Sequence, residues 1–252
     1  MLTLLLDDKL YLAPIDEKCP NVIDLGCGTG IWSMDFADAH PSADVLGVDL
    51  SPIQPAWVPP NCRFTVDDCT SEWTHQEDYF DFVHIRCLYG SVSDWPHLYH
   101  QIYNHTKPGG WIQQMEMSIE FKSDDGTVGP DHVMALWSRT FIEAGERMGK
   151  TFKIADDAAR LIREAGFVDV EERWYKIPVG RWPKDKRLRE LGFWDYNYCM
   201  EGFEGWAMYL LTRVMNWSVP EVRDLVTKMK NALNDRKSHA YYRVYVSLGV
   251  EV

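Results

Sequence analysis

Three glycines and four acids carry the first chemical signal in this chain. Val22-Ile-Asp24-Leu-Gly26-Cys-Gly28-Thr-Gly30 runs from a short apolar stretch straight into glycines spaced two apart. Lacking a Cβ, such residues let a backbone turn sharply and let a ligand approach it closely. Asp49 closes the next β-rich run, 19 residues after Gly30. An acid there can accept two hydrogen bonds from ribose hydroxyls. Asp67-Asp68-Cys69 follows a third such run, placed to meet an adenine amino group. Together the landmarks predict a nucleoside-type site lined by Asp24, Gly26, Gly28, Gly30, Asp49, Leu50, Gln54, Asp67, Asp68, Cys69 and His84.

These residues need strands that end at one edge and helices that follow them. Apolar runs at 22–25, 44–49, 63–66, 80–85 and 111–116 read as strands. Between them, residues 31–39 place Trp32, Phe36 and Ala39 on one helical face. Trp95, Leu98, Tyr99, Ile102 and Tyr103 mark an amphipathic helix, stopped by Lys107-Pro-Gly-Gly110. Strands separated by helices imply βαβ units and a mostly parallel sheet. Later, Val133 to Met148 keeps helical spacing, and residues 158–165 form another helix with Gly166 at its C′ position. Residues 168–177 supply a sixth strand. Ser218-Val-Pro-Glu221 is a capping box, from which Val222, Leu225, Val226, Met229 and Leu233 trace a buried stripe. Residues 241–250 form a last strand. One domain over 1–252 is expected, with a binding core at 20–120 and a helical lid insertion at about 180–235.

The chain has 252 residues and a formal net charge of −12, which disfavours phosphate backbones and hence nucleic acid as a partner. The run Lys184, Lys186, Arg187, Arg189 is a local exception and reads as a solvated helix face. Six cysteines lack C-x-x-C or zinc spacing, so no metal site is expected, and scattered thiols suit a reducing compartment, cytoplasm or nucleus. No stretch reaches the roughly 18 apolar residues of a membrane span.

A dinucleotide fingerprint would read G-x-G-x-x-G, whereas here the third glycine comes one residue early. A dehydrogenase is thereby a distant reading. The D-x-G-x-G-x-G form with its downstream acid resembles motif I of class I methyltransferases. Gly30-Ile-Trp32, Asp49-Leu-Ser-Pro-Ile-Gln-Pro55, His84-Ile-Arg86, Lys107-Pro-Gly-Gly-Trp111, Ala165-Gly-Phe-Val168 and Trp182-Pro-Lys-Asp185 narrow the likeness. With the Leu-rich start and Val58-Pro-Pro-Asn61, they resemble the LaeA-like fungal methyltransferases over almost the whole chain. The resemblance implies a Rossmann-like sheet of about seven strands, mostly parallel with an antiparallel last strand, and a C-terminal helical insertion. It implies S-adenosylmethionine (SAM) as cofactor, S-adenosylhomocysteine as product, and methyl transfer to an O or N atom of a small molecule of secondary metabolism. Two alternatives are a SAM-binding protein catalysing a cyclisation or pericyclic step, and a regulatory partner acting in a homo- or hetero-oligomer. The resemblance further implies a segment ahead of the Leu-rich stretch that helps to close the cofactor site, expected to be absent or supplied by a partner chain.

Within that reading His84 is the candidate catalytic base, since an imidazole near pKa 6.5 suits proton transfer at neutral pH; the competing role is to shape the pocket. Arg86 either binds an anionic group of the acceptor or forms a structural ion pair. Glu116 either orients the acceptor or fixes a loop. Trp57 either borders the adenine or packs in the core. Residues 174–217 hold eleven aromatics in 44 positions, enough to pack an insertion and to offer Trp194 and Tyr198 to a planar acceptor.

Overall fold

The computed structural model describes residues 1–16 and 18–252. In chain order it contains α1 (Leu2–Leu5), β1 (Asn21–Leu25), α2 (Ile31–Ala39), β2 (Asp44–Asp49), β3 (Cys62–Val66), β4 (Phe80–Arg86), α3 (Trp95–His105) and β5 (Thr106–Met117). Then follow α4 (Val133–Met148), α5 (Ile154–Glu164), β6 (Val168–Pro178), α6 (Lys186–Arg213), α7 (Val219–Asn234) and β7 (Tyr241–Val250). The strands form one sheet in the order β3-β2-β1-β4-β5-β7-β6. Pairs β1–β2, β1–β4, β2–β3 and β4–β5 are parallel. Against β5 the last strand runs the other way: Gly109 N–H donates to the Glu251 carbonyl and Ser118 N–H to that of Arg243. The expected sheet is present, with its antiparallel last strand.

Two compact units divide the chain. The first comprises Asp8–Glu116, Ile154–Arg173 and Tyr245–Val252; the second comprises Met1–Asp7, Met117–Lys153 and Trp174–Val244. In the first, alternate residues of β4 feed two cores, as a strand with period two must. Val83 and Ile85 pack with Leu98, Tyr99 and Ile102 of α3 and with Ile154, Ala158 and Ile162 of α5. Phe82 packs with Val22, Val45 and the α2 residues Trp32, Phe36 and Ala37. Covered on both faces, β1 and β2 are near-continuous apolar runs.

Two boundaries differ from the sequence reading. Helix α3 ends at His105, directly ahead of Lys107-Pro-Gly-Gly110 as expected, but β5 begins at Thr106 rather than 111 and takes that segment in, because Gly109 and Gly110 hydrogen-bond to Glu251 just past β7. A partner 140 residues away in the chain cannot be read from local turn chemistry. Helix α5 begins at Ile154 rather than 158, with Asp156 and Asp157 in its first turn, where carboxylates favour the positive end of the helix dipole.

In the second unit Trp137 of α4 stacks on Phe141 at 4.3 Å and meets Phe203 of α6 at 4.8 Å. Helix α7 carries the expected capping box, and all five residues of its stripe are buried. Asp195 of α6 is fully buried; it accepts hydrogen bonds from Tyr242 Oη at 2.5 Å and Cys199 Sγ at 3.9 Å. Burial pushes its carboxyl up to about 7, and the two hydrogen bonds hold it back from going higher. Of the aromatics between 174 and 217, Phe203 is core, whereas Trp174, Trp182, Trp194, Tyr198, Trp206 and Tyr209 are exposed.

Candidate nucleoside-binding site

The glycine turn joins β1 to α2, and its three glycines adopt left-handed φ of +69° (Gly26), +57° (Gly28) and +76° (Gly30). They are glycine for different reasons. A Cβ on Gly26 would lie 2.5 Å from Leu88 Cδ1, and one on Gly30 would overlap the Phe64 ring. On Gly28 it would meet nothing within 4 Å. Close packing therefore accounts for the outer two, and open space lies above the middle one.

Asp49 at the end of β2 holds that middle residue. Its Oδ2 accepts the Gly28 N–H at 2.8 Å and its Oδ1 the Ser51 N–H at 2.9 Å. Each carboxylate oxygen keeps a further lone pair. Gln54 reaches back: its Nε2 donates to the carbonyls of Gly28 at 2.7 Å and Ser51 at 2.9 Å. At the next strand end, the Asp67 N–H donates to the Asp49 carbonyl. Gly28, Asp49, Gln54 and Asp67 are thus brought together. Beside them Leu50 is 68% exposed and Trp57 93% exposed, which removes core packing as the role of Trp57. Asp68 Oδ1 accepts from the N–H and hydroxyl of Thr70, closing the turn after β3. Cys69 is partly buried, and burial pushes its thiol up to about 11, so it is no nucleophile at neutral pH.

His84 and Asp24 lie beneath this turn, in the interior. The imidazole is 1% exposed and stacks on Trp32 with ring centres 3.6 Å apart. Since a carboxylate only accepts, His84 Nδ1–H donates to Asp24 Oδ1 at 2.7 Å, while Ser33 Oγ donates to Oδ2 at 2.7 Å. Burial lowers the His84 pKa against the opposing pull of Asp24.

Glu116 is equally enclosed and fixes the loop after β4. Its carboxylate accepts from the Leu88 N–H at 3.0 Å, the Tyr89 N–H at 3.3 Å and Gln114 Nε2 at 3.0 Å. Leu88 is the residue that fills the space beside Gly26, so Glu116 steadies the glycine turn through it. Burial raises its carboxyl to about 7, against those three hydrogen bonds. Arg86 ends β4 partly buried and, among the described residues, forms no ion pair. Trp194 and Tyr198 belong to α6 in the second unit, where both are exposed.

Sequence reasoning missed Gln113 and Ser33. Gln113, fully buried in mid-strand, accepts the Leu12 N–H at 2.6 Å and the Ala13 N–H at 3.0 Å through Oε1. Trp32 Nε1–H donates to the Leu10 carbonyl, and Tyr11 pairs with His40. Residues 10–13 are thereby strapped across β5 and α2. A glutamine pair inside an otherwise apolar strand, and a serine on the buried face of α2, were the available signals.

Among the described residues no group of three or more His, Cys, Asp or Glu is placed to hold a metal ion, and no helix is long and apolar enough to cross a membrane. An open glycine turn, a carboxylate at the end of β2 and this strand order define a class I methyltransferase fold. Residues 1–172 match the family described as "Methyltransferase domain". The methyltransferase pytC of Aspergillus terreus is 42% identical over 241 residues, covering 95% of this chain and 74% of that protein. The secondary metabolism regulator LAE1 of Cochliobolus heterostrophus is 39% identical over 244 residues, covering 94% and 80%. In fold, the chain is similar to phosphoethanolamine N-methyltransferase 2 of Haemonchus contortus in complex with S-adenosyl-L-methionine. That match has TM-score 0.57 and 18% identity, covering 95% of this chain and 50% of that one. The chain belongs to the methyltransferase-domain family and is similar over most of its length to the methyltransferase pytC and to the secondary metabolism regulator LAE1.

Proposed function

We propose that this chain binds SAM at the glycine turn and transfers its methyl group to an oxygen or nitrogen atom of a small molecule of fungal secondary metabolism. The observation that carries the reading is the contrast within the turn: a Cβ at Gly28 alone of the three would enter open space, and Asp49 holds that residue's N–H. The residues present fit the cofactor. Asp49 has lone pairs left for ribose hydroxyls, Leu50 and Trp57 present apolar surface to an adenine, and Asp67 and Asp68 flank its amino group. Bound SAM supplies a methyl on a sulfonium, a leaving group that needs no proton.

The chain's own work is alignment and exclusion of water. Gln54 stiffens the turn by bonding Gly28 and Ser51. Asp24, His84 and Trp32 form its floor, and the enclosure of His84 supports a pocket-shaping role over that of a base. Arg86 meets an anionic group of the acceptor.

Titration calorimetry with SAM and S-adenosylhomocysteine, followed by mass spectrometry of phenol and amine acceptors incubated with SAM, tests the reading. Micromolar binding of both and a gain of one methyl group are expected. Absence of binding overturns it.

A second reading is favoured by the name of one relative, a secondary metabolism regulator at 39% identity. In it the chain acts by forming a complex, and methylation of a small molecule is not its output. Cofactor binding without any methylated acceptor, together with a stable heteromeric complex, would select it.

A further inference from the structure

The basic run at the start of α6 is not a uniform solvated face. Arg187 turns to the N-terminal segment, where it pairs with Asp7 and donates to the Leu4 carbonyl at 2.8 Å. Lys186, Arg189, Glu190, Phe193 and Trp194 fall at helical spacings of three, four, seven and eight from the first of them. With Arg181 they line a cavity of about 360 Å³ within the second unit.

This lining has an uncommon make-up for so acidic a chain. Three cations and one carboxylate leave the cavity net positive (3 − 1 = +2), against −12 for the whole protein. The Arg181 guanidinium lies over the Phe193 ring at 4.1 Å. Arg189 donates through Nε and one Nη to the neutral carbonyls of Pro183 and Lys184, which orient it, and it forms no ion pair among the described residues. Neither Arg181 nor Lys186 forms an ion pair among the described residues. Beside them Trp194 is 52% exposed, its large ring left in water.

We propose that this cavity is a binding site for a planar aromatic anion, an aryl carboxylate or ionised phenol. The anionic group would sit against Lys186 and Arg181, and the ring against Trp194. Cations that form no ion pair among the described residues supply the charge complement. Half-exposed rings next to them supply apolar contact area, and the guanidinium already held over Phe193 provides a flat face for stacking. The volume suits a molecule of two or three fused rings. The proposal concerns a surface of the second unit alone and does not depend on the cofactor reading.

The test is calorimetric titration of the full chain with 2-naphthoate and with naphthalene-2-carboxamide, its neutral counterpart of the same shape. Naphthoate is expected to bind and the amide to bind at least about fivefold more weakly, with the naphthoate affinity falling as salt is raised. In Arg181→Gln and Lys186→Gln naphthoate affinity is expected to fall by about three- to tenfold. Trp194→Ala should weaken both compounds. The thermal unfolding midpoint of the ligand-free chain, measured on the same samples, should stay close to the wild-type value in all three variants. That readout reports their folding. Equal affinity for acid and amide, no naphthoate binding, or undiminished binding in the two charge variants overturns it.

Discussion

The glycine turn and the face of α6 present ligands with two different kinds of surface. Around Gly28 the exposed atoms are backbone, and the side chains that matter, Asp49 and Gln54, are occupied in fixing that backbone. On α6 the backbone is satisfied within the helix, and side chains alone, Lys186, Trp194 and Tyr198 among them, reach outward. A backbone site constrains the residue types that build it, whereas a helix surface accepts many. The first kind of surface holds a feature common to a family, and the second is where relatives are free to differ in what they recognise.

The largest expected effect tests whether the turn is as rigid as this contrast requires. Gly30→Ala adds a Cβ against Phe64 at a left-handed φ. It is expected to cost about 3–4 kcal/mol of stability, seen as a fall in Tm of roughly 6–16 °C. Gly28→Ala should cost only about 1–2 kcal/mol, from the backbone strain, while abolishing most S-adenosylhomocysteine binding. Equal thermal losses in the two variants would show that the space above Gly28 is not open.

A buried carboxylate in each unit gives the next comparison. Asp195 and Glu116 both have their folded pKa raised to about 7. The folded chain therefore holds a proton that the unfolded chain releases between about pH 4 and 7, and stability falls as pH rises through that window, levelling above it. Asp195→Asn keeps an acceptor for Tyr242 and should remove part of that slope. Between pH 4 and 8 the variant is expected to gain on the order of 2–4 kcal/mol relative to wild type in urea titrations. An unaltered slope in Asp195→Asn with a flattened one in Glu116→Gln would assign the effect to the first unit alone.

For the backbone site, Asp49→Ala should weaken S-adenosylhomocysteine by about 1.5–3 kcal/mol in calorimetry. Unchanged affinity would remove Asp49 from the ribose. The smallest effect belongs to the surface of α6. Arg187→Ala breaks a solvent-exposed pair with Asp7 and should cost less than about 1 kcal/mol in thermal unfolding.

Much of this architecture was legible before any coordinates. Helix α2 and strands β2 and β7 fall where periodicity puts them, because each has one unambiguous face or a fully apolar run. The glycine turn and Asp49 were legible too, since glycine adopts that backbone without strain and the acid follows at a fixed strand length. What stayed hidden depended on partners distant in sequence. Burial of His84 follows from Trp32 on the other side of the turn, and the choice between the two roles read for Glu116 from amides 27 and 28 residues earlier, which make it fix the loop. The spacing of Leu12 and Gln113 gives no hint that they touch. Nor could the basic run show that Arg187 faces one way and Lys186 another until the helix was placed.

The sheet order carries a consequence for how the molecule is made. Strand β7, synthesised after the other six, lies between β5 and β6 rather than at a margin. Until it arrives, a nascent chain carries two unsatisfied strand borders, each a template for pairing with a neighbouring chain. Expression yield should therefore be governed by β7 more than by any part of the binding site, and its deletion would be felt first as insolubility.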